Sequence, residues 1–317
     1  MAIPTNAQTT YDLGFFGTGT LHEDLIDVQV ILGSTQTPAF SSFRKDRARD
    51  VVHSWTVDAL SATATGGDIE GNEWSGAALA QPVRLMNMCQ EFTKHIGVSD
   101  RERDANPAGQ FRDAYEKQTM MAFKEITRNC ESRIFATGNV GSATGGTGTS
   151  SRMQSISGFG TTVSAVSASG VFTADIINLS MAIYNNGVEP DSLWFAPAHK
   201  RDFFLAVTGG GNKINVRNIA ATDNRFQANI EVMETPFGQL YAIIVDRFIP
   251  TISATANGRA AYYIMDRSML SLPFFRPPQH KPMGKSGDST RGIILMDLTL
   301  RLDHPSAVGM ATGLTSV

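Results

Sequence analysis

Between Trp55 and Trp74 the chain reads WTVDALSATATGGDIEGNEW, and this stretch constrains the fold more than any other. It opens as a half-buried strand, with Val51, His53, Trp55, Val57 and Ala59 alternating against Ser54, Thr56 and Asp58. It then runs through small and polar residues, with glycines at 66, 67, 71 and 76, and carries too little apolar side chain to build a core of its own. A second extended segment returns from about Leu79 to Val98, through Val83, Leu85, Met86, Met88, Cys89, Phe92 and Ile96. Together they predict a β-hairpin over 51–98 with a soft tip, projecting about 30 Å at roughly 3.3 Å per residue. A lone two-stranded ribbon is marginal in water. Its apolar residues, the two tryptophans foremost, therefore predict a resting surface on another chain.

The flanking segments fall into a definite order. Residues 1–50 read as an arm and its lead-in: the first twenty carry four glycines or prolines, with Phe15 and Phe16 as contact residues, and Thr37-Pro38 ends a short apolar pattern. Asn106-Pro107 predicts the start of a helix over about 107–137, stopped by Gly138, with Phe111, Tyr115, Ala122, Ile126, Cys130 and Ile134 on one stripe. Such a helix is about 45 Å long. A flexible loop, 138–151, follows. Beyond it the pattern predicts a helix at 173–186 stopped by Gly187, a buried strand at 193–195, a helix at 198–207, and a hairpin joining 230–234 to 240–246 through Thr235-Pro236-Phe237-Gly238. Strand-like 261–265, a proline-broken stretch (Pro273, Pro277, Pro278, Pro282) and an alternating run at 293–302 complete the chain. Helices and strands mix without a βαβ rhythm, which predicts an α+β fold.

Composition narrows the function. A net charge of −3 and an isoelectric point near 6.1 exclude a broad basic surface that wraps nucleic acid. The two cysteines offer neither a disulfide framework nor metal-ligand spacing. With no basic start followed by an apolar segment, and no run of about 18 apolar residues, the chain is expected to be soluble and intracellular. His22-Glu23 lacks a histidine four residues on, where Ile26 stands. Gly284-Lys285-Ser286 has Gln279 in place of the leading glycine of a phosphate loop, and the Gly141–Gly146 spacing is followed by Thr147 where lysine is required. The six histidines are scattered. No catalytic residue, metal ligand or cofactor site is assigned. The cluster Arg44-Lys45-Asp46-Arg47-Ala48-Arg49-Asp50 reads first as a solvated or salt-bridged surface, with a subunit contact or local phosphate-facing patch as alternatives.

An arm, a long hairpin, a long one-sided helix, a mixed α/β unit and late strands, in that order, resemble the Hong Kong 97-type (HK-97-like) major capsid proteins of tailed bacteriophages. Local motifs sharpen the likeness: Asp27 leading to Thr37-Pro38-Ala39-Phe40, Trp55-Thr56-Val57-Asp58-Ala59-Leu60, Glu70-Gly71, Phe237-Gly238, Asp246-Arg247-Phe248-Ile249-Pro250, Met265-Asp266, and Gly284-Lys285-Ser286-Gly287-Asp288-Ser289. Over about residues 22–315 the chain is similar to the SU-10-like phage major capsid family. The resemblance implies an N-terminal arm and lead-in (1–50), an extended loop (51–98), a peripheral domain with the spine helix (99–160), an axial domain (161–260) and a return to peripheral strands (261–317). It implies a structural, non-enzymatic subunit that self-assembles as pentamers and hexamers into an icosahedral head, without a cofactor, enclosing double-stranded DNA with no sequence-specific binding. The implied partners are further copies of the chain, a portal protein, and separate scaffolding and decoration proteins; the implied location is the virion, after assembly in the host bacterial cytoplasm. An encapsulin-like nanocompartment shell is the alternative on the same fold. The expected assembly contacts are Phe15, Phe16, Trp55, Val57, Asp58, Glu70 and Trp74; Thr37, Pro38, Gly71, Gly238, Lys285, Gly287 and Asp288 are the family-motif positions.

Overall fold

A computed structural model describes residues 35–58, 60, 70–71, 81–105, 113–136, 143–159, 162–165, 173–209, 231–238, 240–250, 260–285 and 287–312. In chain order the elements are α1 (Pro38–Ser42), β1 (Arg44–Arg47), β2 (Val52–Val57), β3 (Val83–Met88), β4 (Gln90–Ser99), α2 (Asp100–Asp104) and α3 (Ala114–Ile134). There follow β5 (Thr162–Ala165), α4 (Thr173–Asn185), β6 (Ser192–Phe195), α5 (Pro197–Gly209), β7 (Val232–Glu234) and β8 (Leu240–Val245). The last are β9 (Ala260–Met265), β10 (Leu270–Pro282), β11 (Ser289–Leu298), β12 (Arg301–Leu302) and β13 (Val308–Thr312).

Two mixed sheets and one separate ribbon organise these strands. The first sheet runs β1-β10-β11-β4, with β12 also on β10; β1 is parallel to β10 and the other pairings are antiparallel. The second runs β5-β13-β9-β6-β8-β7. β2 and β3 pair only with each other. α3 lies over β4 and β11 with Ala122, Ile126, Cys130 and Ile134 buried, as its stripe predicted. α4 rests on β13 so closely that a Cβ at Gly309 would stand 2.6 Å from Ile183 Cδ1.

One apolar core spans both sheets. Its hub is Trp194 on β6, fully buried, with the rings of Phe43 and Phe135 each 5.8 Å away. Phe135, just past the end of α3, also meets Tyr263 at 5.4 Å. The end of the long helix is thereby fixed in the second sheet's core.

Several expectations hold. β6 is buried at all four positions, α4 ends at Gly187 with φ 82°, and β7 and β8 turn through Gly238 at φ 80°. Others need correction. The long helix starts at Ala114, not Pro107: Asp113 has an extended backbone and its carboxylate accepts the Tyr115 amide, while Asn106, Pro107 and Phe111 lie outside the described residues. It ends at Ile134, giving 21 residues and about 32 Å; Gly138 also lies outside the described residues. Within the expected flexible loop, Ala143–Arg152 forms a small bridged turn.

The return arm of the hairpin is two strands, not one. At Cys89 the chain leaves β2 and passes into the first sheet, where β4 pairs with β11. The proline-broken stretch is a strand, β10, whose register on β11 shifts twice between Phe274 and Gln279. Beyond Phe274 its other side has no strand partner among the described residues, which accommodates prolines that cannot donate. Finally, 261–317 does not return as one unit: β10, β11 and β12 belong to the first sheet, β9 and β13 to the second.

Candidate assembly surfaces

The base of the β2–β3 ribbon is tied firmly to its own body. The Cys89 amide donates to Val51 O at 2.7 Å, closing the ribbon. Asn87, 1% exposed, donates through Nδ2 to Leu300 O at 2.6 Å and accepts from the Gln154 amide at 2.7 Å. Trp55 is only 8% exposed, its ring 6.0 Å from Phe159 and 5.8 Å from His53. Burial and nearby Arg301 hold the His53 imidazole below its ordinary pKa, with Asp46 opposing.

This overturns one premise of the sequence reading: the cover over Trp55 comes from the same chain. The exposed surface lies on the same two strands. Val57 is half-buried, Asp58 and Glu70 are exposed, and Gly71 takes a left-handed φ of 79° in the exposed turn. Val83 and Met86 on β3 are each 61% exposed, and Val51 and Val52 on the facing strand are exposed too. Ser54 and Trp55 pair with Met86 and Leu85, so Met86 and Val83 stand on opposite faces of the ribbon. Phe15, Phe16 and Trp74 lie outside the described residues.

The motif residues work within the subunit. Thr37 and Pro38 start α1, but no Thr37 side chain caps it. Glu131 of α3 does so: Oε1 accepts the Ala39 amide and Oε2 the Phe40 amide, both at 2.6 Å. Beside them Lys45 donates to Phe43 O at 3.0 Å and also to Phe40 O, and lies 4.5 Å from the Phe40 ring centroid. Lys285 pairs with Asp100 at 2.8 Å, Thr290 donates to the same carboxylate at 2.8 Å, and Asp288 O accepts the Asp100 amide. These contacts hold the Asp100 carboxyl below its usual range. Gly287 supplies a left-handed φ of 74° in the turn between β10 and β11. The lysine of the apparent phosphate loop is thus committed to a turn. The basic cluster around β1 is partly salt-bridged and partly solvated: Arg44 reaches Asp303 at 3.8 Å and Asp46 reaches Arg301 at 3.9 Å, while Arg47 and Arg49 are exposed.

Glu131 and Asn87 were missed by the sequence reading. Glu131 did leave a signal, a charge next to Cys130 and three residues before Ile134 on the inward stripe. It is fully buried, and burial together with neighbouring Asp246 pushes its carboxyl up to about 8. Among the described residues no group of three or more His, Cys, Asp or Glu could hold a metal ion. No described helix is long and apolar enough to cross a membrane.

Comparison with known proteins places this architecture. The major capsid protein of Escherichia phage Phieco32 is 24% identical over 332 residues, covering 88% of this chain and 90% of that one. Among solved structures, the capsid of a native GTA particle matches 98% of this chain and 100% of its own at a TM-score of 0.65 and 12% identity. The capsid of cyanophage P-SCSP1u covers 98% and 100% at 0.60 and 11%, and a Gordonia phage Cozz chain 94% and 92% at 0.60 and 12%. The fold is therefore the Hong Kong 97-type capsid fold. The family model of the SU10 major capsid protein matches residues 3–315, and the chain belongs to that family.

Proposed function

We propose that this capsid-family chain self-assembles as pentamers and hexamers into an icosahedral phage head that encloses double-stranded DNA. The observation that carries the reading is the β2–β3 ribbon, anchored at its base by Asn87 and Trp55 yet presenting Val52, Val83 and Met86 to solvent. Side chains of that size gain about 1–2 kcal/mol each on burial, at about 25 cal/mol per Å². A neighbouring copy is the surface available to every subunit of a closed shell, where each gives and receives the same contact.

In this reading α3 with the first sheet forms the peripheral domain, and the second sheet with α4 and α5 forms the axial domain. Residues 51–88 make the extended loop, with β4 joining the peripheral sheet. The net charge of −3 suits a wall that holds DNA without gripping it. A portal protein, and separate scaffolding and decoration proteins, would complete a virion built in the host cytoplasm. Electron microscopy of the purified full-length chain tests the proposal. Closed hollow particles are expected; a chain that stays monomeric at every concentration and salt condition tried contradicts it.

A further inference from the structure

Glu131 and Asp246 are two buried carboxyl groups in contact, with no cation committed to them. Glu131, on α3, has both oxygens taken by the Ala39 and Phe40 amides. Asp246, 1% exposed just after β8, lies within hydrogen-bonding reach of Glu131. Its Oδ1 accepts the Phe248 amide at 2.8 Å, while its buried Oδ2 meets no donor. Two facing acceptors repel unless one carries a proton. The other titratable groups facing Glu131 are Lys45 on β1 and Cys130 on α3. Lys45 directs its ammonium to the Phe40 and Phe43 carbonyls, and burial keeps the Cys130 thiol protonated. Neither supplies the missing donor. A single proton shared by the two carboxyls does, giving the orphaned oxygen a partner and converting repulsion into a short hydrogen bond.

We infer that Glu131 and Asp246 form a proton-locked clasp, which holds the Thr37–Phe40 lead-in against α3 and the second sheet while the pair keeps one proton and loosens when that proton leaves. Three parts of the chain meet there: the lead-in to the N-terminal segment, the long helix, and the exit of β8. Glu131 in the folded state holds its proton up to about 8, above the ordinary glutamate value of 4.5. A folded-state value raised above the unfolded one means that the stabilisation is complete below the ordinary value. It declines as pH rises from there and is gone above about 8. The clasp is thus closed in mild acid and weak in mild base.

The test is amide hydrogen exchange, read by mass spectrometry on the full-length chain at about pH 6 and about pH 9, with rates corrected for intrinsic pH dependence. Protection over 37–43 should fall at least about tenfold in the wild type. Asp246→Asn, whose amide offers Glu131 a donor at every pH, should keep that protection nearly constant. Protection independent of pH in the wild type, or a variant that follows the wild-type curve, overturns the inference. Should Asp246→Asn fail to fold, infrared spectroscopy of the wild type decides. A protonated-carboxyl band at neutral pH that disappears above about pH 9 supports the clasp, and its absence at neutral pH refutes it.

Discussion

The indole of Trp55 lies 6.0 Å from the ring of Phe159, the two planes inclined by 51°, so the ribbon's large aromatic side chain is seated on its own subunit. The ribbon is thereby seated through Trp55, while Val83 and Met86 on the same strands stay exposed.

Replacing Trp55 with alanine should therefore release the ribbon locally. The cost of emptying a largely buried tryptophan site is about 3 kcal/mol. It should register as about a hundredfold loss of exchange protection over 52–57 and 83–88, with β10 and β11 unchanged. Equal loss in both places would mean that the ribbon is part of the global core. Trp55→Phe should cost much less, because the buried Trp55 Nε1 has no acceptor to lose.

Arg276 binds three strands of the first sheet, reaching Asp297 on β11 at 3.3 Å and Glu91 on β4 at 3.1 Å. The Asp297 side chain is 9% exposed, and burial raises its pKa while Arg276 pulls it down. Arg276→Ala should cost about 2 kcal/mol, since the arginine itself is partly exposed and the carboxylate loses its counter-charge. With the arginine gone, the folded-state pKa of Asp297 climbs further above the unfolded value, so the loss should be larger at about pH 8 than at about pH 5. Thermal melts of Arg276→Ala and of Arg276→Ala/Asp297→Asn check this. The double variant should regain most of the loss at the higher pH, and a double variant worse than the single one would contradict the account.

Local chemistry made much of this fold legible. The four-residue apolar run of β6, the left-handed glycines at 187 and 238, and the inward stripe of α3 are all encoded within a few residues of where they act. What escaped was decided across long sequence distances. Asn106-Pro107 is a sound helix-start signal, but the start of α3 is fixed at Asp113, which also pairs with Arg103 at 2.7 Å. The break at Cys89 was visible only as lost alternation: Asn87, Met88 and Cys89 are buried in succession because the strand passes there from one sheet to another. Trp55 looked stranded because Phe159, the ring that meets it, stands more than a hundred residues away in the chain. Glu131 showed in the sequence only as a charge on the inward stripe, because its partners Ala39, Phe40 and Asp246 come from distant parts of the chain.

The assembly role proposed for the ribbon rests on its exposed side chains, and one measurement reaches them directly: sedimentation velocity of the wild type beside Val83→Asp/Met86→Asp. Both side chains are mostly exposed in the single subunit, so the variant should fold with an unchanged melting temperature. The predicted result is fast-sedimenting shells from the wild type and only small, slowly sedimenting species from the variant. Shells of normal size and heat stability from the folded variant would contradict the claim that this ribbon holds one copy to the next.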